Sequence, residues 1–146
     1  ELTVSMSINT LDEEFKNDMD NASSIKDRLN TLKTLHENGI YTILFMSPIF
    51  PFITDFKEII EVSKGYIDEY WFENLNLRGD YKKNILDYIK KKYPEYYSEY
   101  EDIYIHGNKG YWISLSEEIE RYCDSKGIKY TNFFYHEKLV ENKKRK

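Results

Sequence analysis

Residues 2–9, LTVSMSIN, alternate as a strand: Val4, Met6 and Ile8 fall on one face, and Ser5, Ser7 and Asn9 on the other. Thr10, followed by Asp12 and Glu13, predicts a helix N-cap, and Leu11, Phe15 and Met19 keep helical spacing. Ser24 and Asp27 resemble a capping box opening a second helix, whose stripe is Ile25, Leu29, Leu32 and Leu35 and whose end falls at Gly39. IYTILFMS, residues 40–47, is an almost continuous apolar run, as in strands buried on both faces of a parallel sheet. The stiff loop PIFPFI follows, and Thr54 is expected to cap a helix with Phe56, Ile59, Ile60 and Ser63 on its inner face. YIDEYWFENLNL reads as a third strand and RGD as its turn; Asp80 then opens a helix through Tyr81, Ile85, Tyr88 and Ile89 that stops at Pro94. Residues 95–113 are Tyr-rich and expected to be irregular, a further helix runs from about Ser114 or Ser116 to Gly127, and IKYTNFFY closes as a strand.

Strands separated by helices must run parallel, since a crossover is needed to return to the same edge. The expected class is therefore α/β with parallel βα units. In such folds ligands sit at the C-terminal strand ends, which here are Ser7 to Thr10, Met46 to Pro51, Glu73 to Arg78 and Phe134 to His136.

At 146 residues the chain is one domain's worth of protein, with a net charge of −5. The last ten residues, EKLVENKKRK, carry a net +3, which leaves −8 on residues 1–136. An acidic body lacks the clustered Lys and Arg that a phosphate backbone requires, so nucleic acid is not an expected partner of this piece; residues 137–146 are expected to be a disordered, solvated tail. Nothing resembles a signal peptide or a membrane span, so a cytoplasmic setting is expected. The chain enters a strand directly after Glu1, which suggests a piece of something longer.

The candidate chemistry lies at the strand ends. Ser5, Ser7 and Asn9 present hydroxyl and amide groups that suit a ribose or a carboxylate, or a polar seam meeting water. Arg28 falls within the apolar stripe of its helix, where a permanently charged guanidinium requires an anion, either a ligand carboxylate or a nearby Asp or Glu; snorkelling to the edge of the stripe is the alternative. Pro48 and Pro51 fix two φ angles beside the second strand and give a rigid platform. Glu73 shares a strand face with Trp71 and Leu75, and Asn74 and Asn76 share the other with Phe72; spacing leaves open which face looks into the site. Glu73 with Asp80 would be the acids of a hydrolase, but nothing brings them together. His36, His106 and His136 have no metal spacing, and Cys123, the single cysteine, can form neither an internal disulfide nor a cysteine-based metal site.

The ordered set VSMSINTLDEEF, SSIKDRLNTLKTLHENGIYTILFMSPIFPFITD and YWFENLNLRG resembles the radical S-adenosylmethionine (SAM) enzymes, in the branch like spore photoproduct lyase. The matching features are S-x-S-I-x-T-x-D, a D-R-L helical turn, L-x-x-x-G-I before a strand, and a P-I-x-P loop followed by Asp55; they cover residues 2–79. The resemblance implies the second half of a partial (βα)6 TIM-like barrel that holds SAM and a [4Fe–4S] cluster. It implies that Ser5 and Ser7 contact the ribose or methionine carboxylate, that Arg28 pairs with the carboxylate, and that Met46, Ser47, Pro48 and Asn74 contact adenine, with Asn9, Glu73 and Asn76 completing the cofactor surface. The family's C-x3-C-x2-C cluster loop is not in this sequence. The polypeptide alone is therefore expected to be inactive, its partner being the N-terminal half of the barrel, and the intact enzyme to cleave SAM reductively to a 5′-deoxyadenosyl radical acting on an unknown substrate. An unpaired strand edge is expected to drive homo-oligomerisation of the piece. The contrasting expectation is a self-contained parallel α/β ligand-binding or interaction module without catalysis.

Overall fold

The computed structural model describes residues 2–134. Four strands, β1 (Thr3–Ser7), β2 (Tyr41–Ile49), β3 (Glu69–Asn74) and β4 (Tyr130–Asn132), form a parallel sheet in the order β1-β2-β3-β4. The connections carry helices α1 (Glu13–Met19), α2 (Ile25–Glu37), α3 (Phe56–Ser63), α4 (Gly79–Lys92), α5 (Tyr97–Tyr104) and α6 (Gly110–Lys126), with one 3₁₀ turn at Pro94–Tyr96. The expected α/β parallel class is what the sheet shows. The expected end of the last strand at Tyr135, together with His136 and the basic tail, lies outside the described residues.

Each strand is laid beside the one before it, always in the same direction. Parallel crossovers are right-handed, so successive connections of this kind place their helices on one side of the sheet. Burial agrees. On the helix side Leu44, Met46 and Phe72 are 0% exposed and Tyr70 is 2%. The Phe72 ring meets Phe56 of α3 edge-on at 6.1 Å and Tyr130 at 6.3 Å. On the other side Ser5, Ser7 and Glu73 are exposed and Phe45 and Trp71 only half-buried.

Polar groups drawn into the helix side are answered there. Ser63, expected on the inner face of α3, donates to the Ile59 carbonyl at 2.6 Å and lies 2.8 Å from the Tyr70 hydroxyl. Burial drives the Tyr70 phenol well above its ordinary range. At the N-terminal strand ends Thr42 is held by the Tyr66 carbonyl and the Asp68 carboxylate.

Three local expectations are corrected. The first helix is capped by Asp12, which accepts from the amides of Glu14 and Phe15, whereas Thr10 is buried and accepts from Asp12 itself. Asp55 rather than Thr54 caps α3, because the Thr54 hydroxyl is taken by the Phe50 amide across the Pro48–Pro51 turn. The Tyr-rich stretch is largely helical. Tyr100, Ile103 and Tyr104 keep helical spacing, and the fully buried Tyr100 ring passes its hydroxyl to the Pro51 carbonyl at 2.8 Å.

On the outer surface, Tyr122 and Lys126 of α6 converge on Glu61 of α3, which also binds Lys64. Lys64, then Tyr122 and Lys126, hold the Glu61 carboxyl at about 2, below its ordinary 4.5. A depressed carboxyl gives stability that is fully present above its unfolded value and lost as pH falls toward the folded one. Urea midpoints measured against pH are expected to fall between pH 4.5 and about 2, and Glu61→Gln to make that fall smaller, the remainder coming from other lowered carboxyls such as Asp20 and Glu69.

Candidate functional site

The C-terminal ends of β1 and β2 are bound together by side chains. Asn9 donates through Nδ2 to the Pro48 carbonyl at 2.7 Å. Between Met46 and Ile49 the register with β3 shifts by one residue, and the Ser47–Pro48 peptide bond is cis. Such a bulge re-aims the side chains that follow it. Here Ser47 donates to Glu73 Oε1 at 2.6 Å, linking β2 to the open face of β3.

Arg28 reaches these ends from α2. Its Nη1 donates to the Ser7 carbonyl at 2.9 Å, its Nη2 to Asp20 Oδ1 at 3.1 Å, and its Nε to the Ser23 hydroxyl at 3.4 Å. The side chain is only 12% exposed. The anion that its position demands is thus Asp20. Burial pushes the Asp20 carboxyl up, but the Ala22 amide and the Arg28 and Lys16 cations outweigh burial and hold it below the ordinary carboxylate range. Lys16, also buried, donates to the Ala22 carbonyl and to Asn17.

Ser7, Asn9, Arg28, Ser47 and Pro48 line one cavity of about 400 Å³, floored by Tyr81 and Tyr88 of α4. A neighbouring cavity of about 320 Å³ shares Ser47, Pro48 and Tyr81 and adds Glu73, Asn74, Asn76 and Phe133. Both lie within or near the range of about 300–1,000 Å³ typical of small-molecule sites. Eight of the ten candidate residues therefore border two adjoining cavities at the strand ends. Ser5 is on the open face but lies one step below them, in register with Ile43. Met46 needs correction: its side chain is 0% exposed on the helix side and cannot touch a ligand at the strand ends.

The two faces of β3 are now distinct. Glu69, Trp71 and Glu73 lie on the open side, while Asn74 follows Tyr70 and Phe72 to the helix side and Asn76 is exposed beyond the strand. The open face carries an aromatic patch that pattern reading did not single out. Trp71 is 5.6 Å from Phe45 and 5.5 Å from Phe133, each edge-on. Beneath it, Glu69 accepts from Tyr41, Trp71 and Thr131 and pairs with Lys129 at 3.5 Å. Burial raises the Glu69 carboxyl, but the Trp71 and Tyr41 donors and the Lys129 cation prevail, so it stays ionised to lower pH than usual. The continuous run IYTILFMS concealed this face, because Tyr41 and Phe45 looked like core.

No group of three or more His, Cys, Asp and Glu side chains suited to a metal ion occurs among the described residues. Cys123 is buried in α6, where burial pushes its thiol up to about 11. It is neither a ready nucleophile nor a ready ligand. Among the described residues no helix is long and apolar enough to cross a membrane.

Comparison with known proteins adds one relative. A stretch of 97 residues, 66% of this chain, is 37% identical to an uncharacterized protein of the archaeon Methanocaldococcus jannaschii. That stretch spans 37% of the relative's own length. No family model matches the chain, and no solved structure matches it.

Proposed function

We propose that this chain is the SAM-binding second half of a partial (βα)6 barrel in a cytoplasmic radical SAM enzyme of the spore photoproduct lyase-like branch. The observation that carries the reading is the one-sided sheet: its helices cover one face, and its other face bears small hydroxyls, aromatic rings and carboxylates suited to a barrel interior. The edge of β1 away from β2 has no strand beside it in the described sheet, and is where the first half of the barrel would pair.

The residues fit SAM and do not fit the cluster. Ser7 and Ser47 offer hydroxyls, and the patch of Phe45, Trp71 and Phe133 offers flat apolar surface to a purine. Arg28 uses three of its five N–H groups on Ser7, Asp20 and Ser23, leaving two for a carboxylate. Asn9 and Pro48 fix the shape of the wall between the strands. A [4Fe–4S] cluster requires thiolates that one buried Cys123 does not supply, so the cluster would belong to the other half. Bound at such a cluster, SAM supplies radical chemistry through its reductive cleavage.

Full-length protein, reconstituted anaerobically with iron and sulfide, is expected to release 5′-deoxyadenosine from SAM under reducing conditions, and residues 1–146 alone to release none. Arg28→Met in the full-length protein is expected to weaken SAM binding about tenfold, the loss of one charge-assisted contact. A full-length protein that assembles no cluster and produces no 5′-deoxyadenosine would overturn the reading. The second reading, a self-contained binding module, draws on the closure of the helix side, where no enclosed side-chain polar atom of the described residues lacks a partner. It predicts a stable monomer at high concentration, with no pairing along β1.

A further inference from the structure

On the helix side of the strand ends lies a separate cavity of about 240 Å³ that the preceding reading does not use. Ile103 of α5 and Trp112 of α6, 8% and 6% exposed, form its apolar wall. Its polar groups are Asn74, Asn76, Arg78 and Lys109.

Asn74 is the informative one. It is 6% exposed and stands on the helix side of β3, the side of α5 and α6, although its edge also borders the cavity next to Glu73. Its carboxamide has no hydrogen-bond partner among the described residues, yet no fully enclosed side-chain polar atom is left unmatched. The carboxamide therefore keeps accessible polar surface at the two cavities it borders and is available to bond a ligand there.

Arg78 and Lys109 are exposed and have no ion-pair partner among the described residues. Arg78 is the N-cap of α4 and Lys109 the N-cap of α6, and neither caps its helix with a side-chain hydrogen bond. The start of α4, which has no side-chain cap, adds its partial positive charge, whereas at α6 Asn108 Oδ1 accepts from the Gly110 amide at 2.8 Å. Asp80 stands in the first turn of α4, two residues from Arg78, and Asp102 of α5 is engaged by Asn108 and lies 3.7 Å from His106.

We propose that this cavity binds a small organic anion, with its oxyanion held by Arg78, Lys109 and the Asn74 carboxamide and its compact apolar body against Trp112 and Ile103. A phosphate monoester and a carboxylate share that chemistry. The cavity shares Asn74 and Asn76 with the candidate SAM surface, so the test reads Arg78 and Lys109, which that reading does not use.

Calorimetric titration of the full-length protein with phenyl phosphate, benzoate, inorganic phosphate and phenol tests it. Phenyl phosphate or benzoate is expected to bind saturably at one site, more tightly than inorganic phosphate, and phenol not to bind. Arg78→Gln and Lys109→Gln, both at exposed positions, are each expected to weaken that binding about tenfold. The order of phenyl phosphate and benzoate names the oxyanion. Absence of one-site binding by either anion would overturn the proposal, as would phenol binding as tightly or both variants binding as the wild type does. None of these readouts depends on SAM or a cluster.

Discussion

Phe72→Ala is expected to destabilise the chain by about 3–5 kcal/mol, the usual cost of removing a buried phenyl ring. Phe72 sits at the centre of β3 with 0% exposure, between Phe56 of α3 and Tyr130 of β4, so the space it leaves is fixed by elements that cannot all move inward. Domains of this size have only about 5–15 kcal/mol in total. The variant should therefore lose much of its stability and unfold at a markedly lower urea concentration. A midpoint close to that of the wild type would mean that the helix side of the sheet is not the packed core described.

The second large effect depends on context. Phe45→Glu places a carboxylate on the open face, 5.6 Å in ring-centroid terms from Trp71 and on the side that carries Glu73. In residues 1–146 alone, where that face meets water, the cost is expected to be about 1 kcal/mol from lost aromatic contact, with a gain in solubility. Under the proposed barrel reading, the same side chain in the full-length protein lies inside the barrel as an unpaired buried charge, at a cost of about 3–5 kcal/mol. Paired denaturation curves of the two forms decide the matter. Equal losses in both would remove the case for a barrel interior, because nothing would then cover the face.

The parallel α/β framework was legible because it depends on period and punctuation. The alternation of Val4, Met6 and Ile8, the capping pattern at Ser24 and the break at Pro94 each act locally. The Tyr-rich helix was not legible by composition. Tyr100 belongs to the core only because the Pro51 carbonyl is there to receive its hydroxyl, a contact made 49 positions away in the chain. Arg28 was legible as a misplaced charge, but whether a ligand or Asp20 would answer it depended on how the loop at Ala22 folds back. Met46 misled because position along a strand says that a residue is near the end, whereas its face follows by alternation from Leu44, on the helix side. The anion-directed cavity was invisible for the same kind of reason: Asn74, Arg78 and Lys109 come from separate segments, and only the packing of α5 and α6 brings them to one wall.

The order β1-β2-β3-β4 also bears on how the molecule is made. Each strand emerging from the ribosome finds its neighbour already synthesised, so the sheet can grow at its newest edge. No strand has to thread between two others, but partners such as Tyr70 and Tyr130 lie 60 positions apart, and closing loops of that length before any contact is rewarded slows pairing. The opposite edge, on β1, was made first and has no strand beside it among the described residues. A strand that pairs there would lie outside the described sheet, in the same chain or in another molecule.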